Sequence, residues 1–212
     1  FDFNYVSRGP SFTRVRPDPQ AIQMAIELLM TSQSPAIVVA NGVAQEDAMA
    51  ETVELAERIG APVYDPWMAD VNFPVHHPHY LGDLNLASPQ ARDILKSVDV
   101  LVAIGVPLFS QPLYFPEPFL AAQTKLIQID NDPWEIGKNF PVAAGIEGNI
   151  KASLAELNEA LVKNMSVQAR EAAKGRAREI AGEKQRITET FLEKVRNERD
   201  RVPMAVSQLM QE

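Results

Sequence analysis

Along this chain the apolar positions fall into short continuous runs, separated by stretches where they recur every three or four residues. Residues 35–40, Pro-Ala-Ile-Val-Val-Ala, form the first run, which is β-branched and too short for a helix. Such a run predicts a strand covered on both faces, as in a parallel sheet. Similar runs occupy 61–64, 98–104 and 125–130, with a shorter one at 143–146. Ahead of the first strand, Ile22, Ala25, Ile26 and Leu29 repeat at helical spacing. Asp18 stands there as an N-cap and Pro19 at the first helical position. The same periodicity predicts an acidic amphipathic helix over 44–59, closed by Gly60, and further helices over 89–96, 133–138 and 149–163.

Strand–helix alternation at this rhythm predicts an α/β domain built as a three-layer sandwich. Its mainly parallel, Rossmann-like sheet would carry helices on both faces, joined by right-handed crossovers. The stretch 65–87, dense in Pro, His and aromatic residues, fits that scheme least. It is read as a long irregular loop leaving the carboxyl end of a strand, the side on which open α/β sheets hold ligands.

The ends of the chain follow different rules. Residues 1–17, broken by Pro10 and Pro17, read as an extended linker. Residues 18–164 hold the α/β pattern. From 165 to 202 the composition turns to Ala, Glu, Lys and Arg with few large apolar residues, predicting one or two solvent-facing linker helices. Residues 203–212 open a new amphipathic segment, read as the start of a further domain. With Phe1 in place of an initiator Met, the chain is expected to begin in mid-protein.

Charge and composition then exclude several classes. Hydrophobic residues make up 46% of the chain, enough for a packed core and too much for a disordered segment. No run approaches the length of a membrane helix, and the N-terminus has neither the basic start nor the apolar stretch of a signal peptide. The absence of cysteine removes disulfides, thiolate nucleophiles and cysteine metal sites, and suits a cytoplasmic protein. The net charge of −8 hides an asymmetry, because residues 1–165 alone hold twenty acids against ten bases. Such a body repels nucleic acid. Residues 166–202 are locally basic but interleave both signs, as solvated helices do.

Four segments in order resemble the central domain of thiamine-diphosphate-dependent enzymes, the family of acetolactate synthase and benzoylformate decarboxylase. They are Ser34-Pro-Ala-Ile-Val-Val-Ala-Asn-Gly42, Leu55-Ala-Glu-Arg-Ile-Gly-Ala-Pro-Val63, Asp99-Val-Leu-Val-Ala-Ile-Gly105 and Ile127-Gln-Ile-Asp-Asn-Asp-Pro-Trp-Glu-Ile-Gly-Lys-Asn139. Within the family, Asn72-Phe-Pro-Val-His-His-Pro-His-Tyr-Leu-Gly82 and Ile104-Gly-Val-Pro-Leu-Phe109 are most similar to benzoylformate decarboxylases. The resemblance implies a parent that uses thiamine diphosphate and Mg²⁺ on 2-oxo acids, as a decarboxylase or carboligase. Its partners would be N- and C-terminal domains of the same chain, and it would assemble as a dimer or tetramer. The family's activating Glu and its Gly-Asp-Gly metal motif belong to those other domains. This segment is therefore expected to be structural, inactive alone and without tight cofactor binding.

Several residues carry candidate chemistry. Asn41-Gly42 lies between a strand and a helix, where a nucleotide-binding fold keeps its glycine loop. With one glycine the loop reads more simply as a turn, although a free-standing FAD or NAD domain remains the alternative. Gly105-Val-Pro-Leu-Phe-Ser-Gln lacks the Arg and the Asp pair of the FAD-binding acetolactate synthases, which makes FAD unexpected. Asp130 and Asp132 end a strand, where an acid could meet a ribose hydroxyl or could cap the helix expected after Pro133. His76, His77 and His79 are the chain's only histidines, and without cysteine they make a poor zinc set. His77 matches the family's histidine, so the resemblance implies that it donates or accepts a proton in the parent's active site. For all three, the simpler reading is a solvated loop held by Pro74 and Pro78. Finally Phe109, Leu113, Tyr114, Phe115 and Phe119 form an apolar cluster that suits packing or a subunit contact.

Overall fold

The computed structural model describes residues 14–66, 69–108 and 118–199. The segment 203–212 and most of the aromatic cluster, from Phe109 to Phe115, lie outside the described residues. The elements in chain order are α1 (Pro19–Thr31), β1 (Pro35–Val39), α2 (Gly42–Gln45), α3 (Met49–Ile59), β2 (Val63–Pro66), β3 (Tyr80–Leu84), α4 (Pro89–Ser97), β4 (Val100–Ile104), β5 (Lys125–Asp130), β6 (Ala144–Glu147), α5 (Ile150–Asn164) and α6 (Val167–Asn197). The six strands form one sheet in the order β3-β2-β1-β4-β5-β6, and every pairing is parallel.

Alternation along each strand divides the core in two. Ile37, Val39, Val63, Val102, Ile104, Ile127, Ile129 and Ile146 face α1, α3 and α5. Ala36, Val38, Tyr64, Leu101, Ala103 and Leu126 face α4, through Ala91 and Leu95, together with Val106, Leu108, Phe119 and Leu120. β1 and β4 are buried at every position, which is why they read as unbroken apolar runs. The result is the expected three-layer α/β sandwich.

Local starts follow side-chain chemistry. Asp18 accepts from the Gln20 amide at 2.7 Å to cap α1, and Ser88 accepts from the Ala91 amide at 3.1 Å to cap α4. Gly60 closes α3 in the left-handed region at φ 60°. Asp99 holds the entry to β1 from the neighbouring strand. Its carboxylate accepts from the Ser32 hydroxyl at 2.5 Å and from the Gln33 and Ser34 amides at 2.6 and 3.1 Å.

Three expectations are corrected. The single helix over 44–59 is two, because Glu46 and Asp47 leave the helical path to serve α5. Glu46 accepts from the Ile150 amide at 3.0 Å and from Asn149, while Asp47 adopts φ 53° and binds Lys151 Nζ at 2.6 Å. Residues 133–138 are turns rather than a helix. Buried Gln128 donates to the Glu135 carbonyl at 2.8 Å and accepts from the Gly137 amide at 3.0 Å, taking backbone groups that a helix would need. The stretch 65–87 also contains a strand, β3. It is an edge strand, mostly half-exposed, so Tyr-Leu-Gly-Asp-Leu shows no continuous apolar run.

The C-terminal helical region is one 31-residue helix, α6, and it is not wholly solvent-facing. Ala173, Ile180 and Val195 are buried along it. Arg176 donates to the Ile59 and Gly60 carbonyls at 2.7 and 3.2 Å, satisfying the end of α3. A side chain on Gly60 would lie 2.2 Å from the Ala173 carbonyl oxygen, so the two backbones meet there directly.

Candidate functional site

The fold sorts the candidate residues onto two opposite edges of the sheet. Asn41, Gly42, Gly105, Asp130 and Asp132 gather at the carboxyl edge, where β1, β4 and β5 end. His76, His77 and His79 do not join them. The β2–β3 connection doubles back, because β3 runs parallel to β2. The Val63 amide donates to the His79 carbonyl at 2.8 Å, so the histidines sit at the amino edge of the sheet. That placement corrects the expectation that the loop stays on the carboxyl side.

At the carboxyl edge the two glycines are explained by each other. Gly42 donates its amide to the Gly105 carbonyl at 3.1 Å. A Cβ on Gly42 would lie 2.6 Å from the Gly105 Cα and 2.9 Å from Ile150 Cδ1. Backbone therefore fills the crevice between β1 and β4, the switch point where a dinucleotide fold seats its pyrophosphate. This close approach disfavours the free-standing FAD or NAD domain. Asn41 likewise serves the protein. Its Oδ1 accepts from the Asp70 amide at 2.9 Å and from Asn72 Nδ2 at 3.2 Å. Asn72 is buried and also donates to the Asp70 carbonyl at 2.7 Å, tying the β2–β3 loop to the turn after β1.

Asp130 accepts from the Asp132 amide at 3.0 Å, and Asp132 accepts from the Trp134 amide at 3.0 Å. These are successive Asx turns in place of a helix cap. Burial pushes the Asp130 carboxyl up, opposed by the amides of Asp132 and Asn131. Among the described residues no group of three or more His, Cys, Asp or Glu side chains could hold a metal ion. With the glycine crevice filled, the described residues do not fit a diphosphate and its metal.

The amino-edge cluster is denser in titratable groups. His77 Nε2 lies 3.2 Å from Glu57 Oε1 on α3, and His77 Nδ1 lies 3.2 Å from the His79 amide. The Phe73 ring meets the His77 ring edge to face, with centroids 5.2 Å apart. His79 is buried, and its Nδ1 is 2.7 Å from the Ala61 carbonyl oxygen. A carbonyl only accepts, so Nδ1 of His79 carries the proton. Burial pushes His79 below the usual histidine value, reinforced by His77 and opposed by the Ala61 carbonyl and Glu57. His76 is exposed. Beyond the histidines, Tyr80 donates to Asp65 at 2.9 Å. Burial pushes the Asp65 carboxyl up, and it pushes the Tyr80 phenol up too, with help from Asp65. Lys184 on α6 lies 5.1 Å over the Tyr80 ring and donates to the Val75 carbonyl at 2.8 Å. The histidine loop is thus held between α3 and α6.

Reasoning from sequence did not single out Glu57, Asn72, Asp65, Tyr80 or Lys184 as site residues. Their partners lie between 2 and 109 positions away, and only the loop's His and Pro content pointed to the region.

Sheet order and layers define an α/β domain built on one parallel six-stranded sheet. The chain belongs to the thiamine pyrophosphate enzymes, whose central-domain model matches residues 22–157. It is 36% identical over 169 residues to sulfoacetaldehyde acetyltransferase of Alcaligenes xylosoxydans xylosoxydans, covering 77% of this chain and 28% of that protein. An acetolactate synthase of Mycobacterium avium is 33% identical over 147 residues, covering 69% and 24%. Among solved structures, the thiamine diphosphate-dependent 4-hydroxybenzoylformate decarboxylase of Rhodococcus jostii RHA1 superposes with a TM-score of 0.63 at 25% identity, covering 72% of this chain and 29% of that one. The chain spans about a quarter of the length of the curated relatives it matches. No helix among the described residues is long and apolar enough to cross a membrane.

Proposed function

We propose that this chain is the central module of a longer, cytoplasmic, thiamine-diphosphate- and Mg²⁺-dependent enzyme acting on 2-oxo acids as a decarboxylase or carboligase. The observation that carries the proposal is the family match over residues 22–157, in a chain whose matched segment covers about a quarter of its relatives' length. Residues 18–164 form the module, residues 1–17 and 165–202 connect it, and residues 203–212 begin the next domain. The cofactor and its metal are held by the other domains of an oligomer, because the described residues of this one do not fit them. When bound, the cofactor supplies the electron sink for the chemistry at the 2-oxo carbon.

This chain's own contribution is packing plus one proton-handling side chain. His77 is partly exposed at the amino edge, its backbone is fixed by Pro74 and Pro78, and it stands at the histidine of the F-P-x-x-H-P motif that this segment resembles. In the longer enzyme it donates or accepts a proton at the substrate. The test is His77→Ala in the full-length enzyme. Turnover of a 2-oxo acid falls about a hundredfold, as expected for a lost acid–base group, while cofactor affinity stays within a small factor. Equal and mild losses for the His76, His77 and His79 variants would end the catalytic reading.

A further inference from the structure

We infer that Glu57 is a positioning residue for His77, holding its imidazole in place as the tautomer protonated at Nε2. The inference rests on the proposed role of His77 and adds the residue that sets its proton. Two turns fix the His77 backbone first: its amide donates to the Pro74 carbonyl at 2.9 Å and its carbonyl accepts from the Tyr80 amide at 3.0 Å. Pro78 has no amide hydrogen, so the nearest backbone donor following the ring is the His79 amide. That amide lies 3.2 Å from Nδ1, the same i to i+2 closure that Asp130 and Asp132 make with carboxylates.

An amide can only donate, so Nδ1 presents its lone pair and the proton of the neutral ring resides on Nε2. The atom facing Nε2 is Glu57 Oε1 at 3.2 Å, an acceptor. Phe73 sets the ring plane from the side. Both ring nitrogens are therefore engaged, one by backbone and one by a carboxylate. The two contacts differ in kind. The His77 side chain is 17% exposed and that of Glu57 60% exposed, so the Nε2 contact is the one open to solvent. A substrate oxygen that replaces Glu57 at this position meets the proton-bearing nitrogen, already oriented.

The chain has only three histidines, so histidine-selective ¹⁵N labelling resolves the rings, with the His76 and His79 variants assigning them. In the unaltered chain near pH 8, His77 gives the Nε2-protonated pattern with an observable Nε2–H proton. Glu57→Ala exposes that proton to exchange with water and its signal is lost. Glu57→Gln keeps an oxygen acceptor and retains it. An Nδ1-protonated His77, or an Nε2–H signal unchanged in Glu57→Ala, overturns the inference. In the longer enzyme, Glu57→Ala lowers kcat about tenfold with KM unchanged and Glu57→Gln recovers most of it, a smaller loss than removing the acid–base group itself. An unchanged kcat removes the positioning role. If His77→Ala costs nothing there, the proposed function fails, while the spectra still decide the tautomer on their own.

Discussion

Asp99 shows how much one carboxylate can organise. It lies in the turn before β4 and accepts three hydrogen bonds from the chain entering β1, so it aligns two adjacent parallel strands at their amino ends. Burial raises its carboxyl, but the Ser32, Gln33 and Ser34 donors together outweigh that and hold it below the ordinary 3.8. Asp99→Ala leaves these donors unmatched and lowers stability by about 2 kcal/mol, read from urea unfolding. Because the folded carboxyl titrates below 3.8, its contribution is whole above that pH and is lost as pH falls through the depressed value. His79 acts from the other side of neutrality. Folding buries it as a neutral ring, below the ordinary 6.5. The unfolded chain therefore binds a proton that the folded one resists, and stability falls as pH drops below about 6.5. The urea midpoint declines between pH 7.5 and 5.5, and His79→Gln flattens that decline whatever its effect on the absolute midpoint. An equal slope in both proteins would show that His79 is not responsible.

Among the elements, α6 combines two behaviours. Its first half is attached: Ala173 sits on Gly60, Arg176 satisfies the last carbonyls of α3, and Lys184 holds the histidine loop. Residues 185–190 are exposed on every side, which no packed helix face would allow. Little burial there offsets the entropy of ordering, so local opening is easiest in that stretch. Limited trypsin digestion cuts first after Arg186, leaving a folded body that still carries the start of α6. Gly60→Ala places a methyl within 2.2 Å of the Ala173 carbonyl oxygen at a left-handed φ. That change loosens the first half of α6, and cleavage moves to Arg170, Lys174 and Arg176. A digestion pattern unchanged by Gly60→Ala would mean that the contact does not hold the helix.

Across the whole molecule the sheet keeps its two edges for different purposes. The carboxyl edge, where an open α/β sheet can hold a nucleotide, is closed by the Gly42–Gly105 contact and by Asn41 and Asn72 bonding to the loop. Titration calorimetry of the chain with FAD or NAD detects no micromolar binding. Affinity of that order for either would require the two turns to separate, and would reopen the nucleotide-binding alternative. The amino edge instead gathers His77, Glu57, His79 and, through α6, Lys184.

The sequence by itself determined the layers of this protein. Strands buried on both faces need unbroken apolar runs, and helices resting on one face need apolar residues three and four apart, so β1, β4, β5, α1 and α5 were legible from local pattern. Asp18, Ser88 and Gly60 marked boundaries because capping chemistry acts over two or three residues. The tertiary structure decided what local pattern cannot carry. Glu46 and Asp47 interrupt a helix to serve another one about a hundred residues later, and Gln128 unwinds the expected helix after Pro133. β3 is a strand because β2 lies beside it, while its edge position permits the mixed residues that hid it. The parallel direction of β3 then carries the histidines to the amino edge, opposite the glycines. Hydrogen bonds and close contacts between distant residues leave no period in a sequence, so the pairing of His77 with Glu57 came into view only when α3 and the β2–β3 loop were packed together.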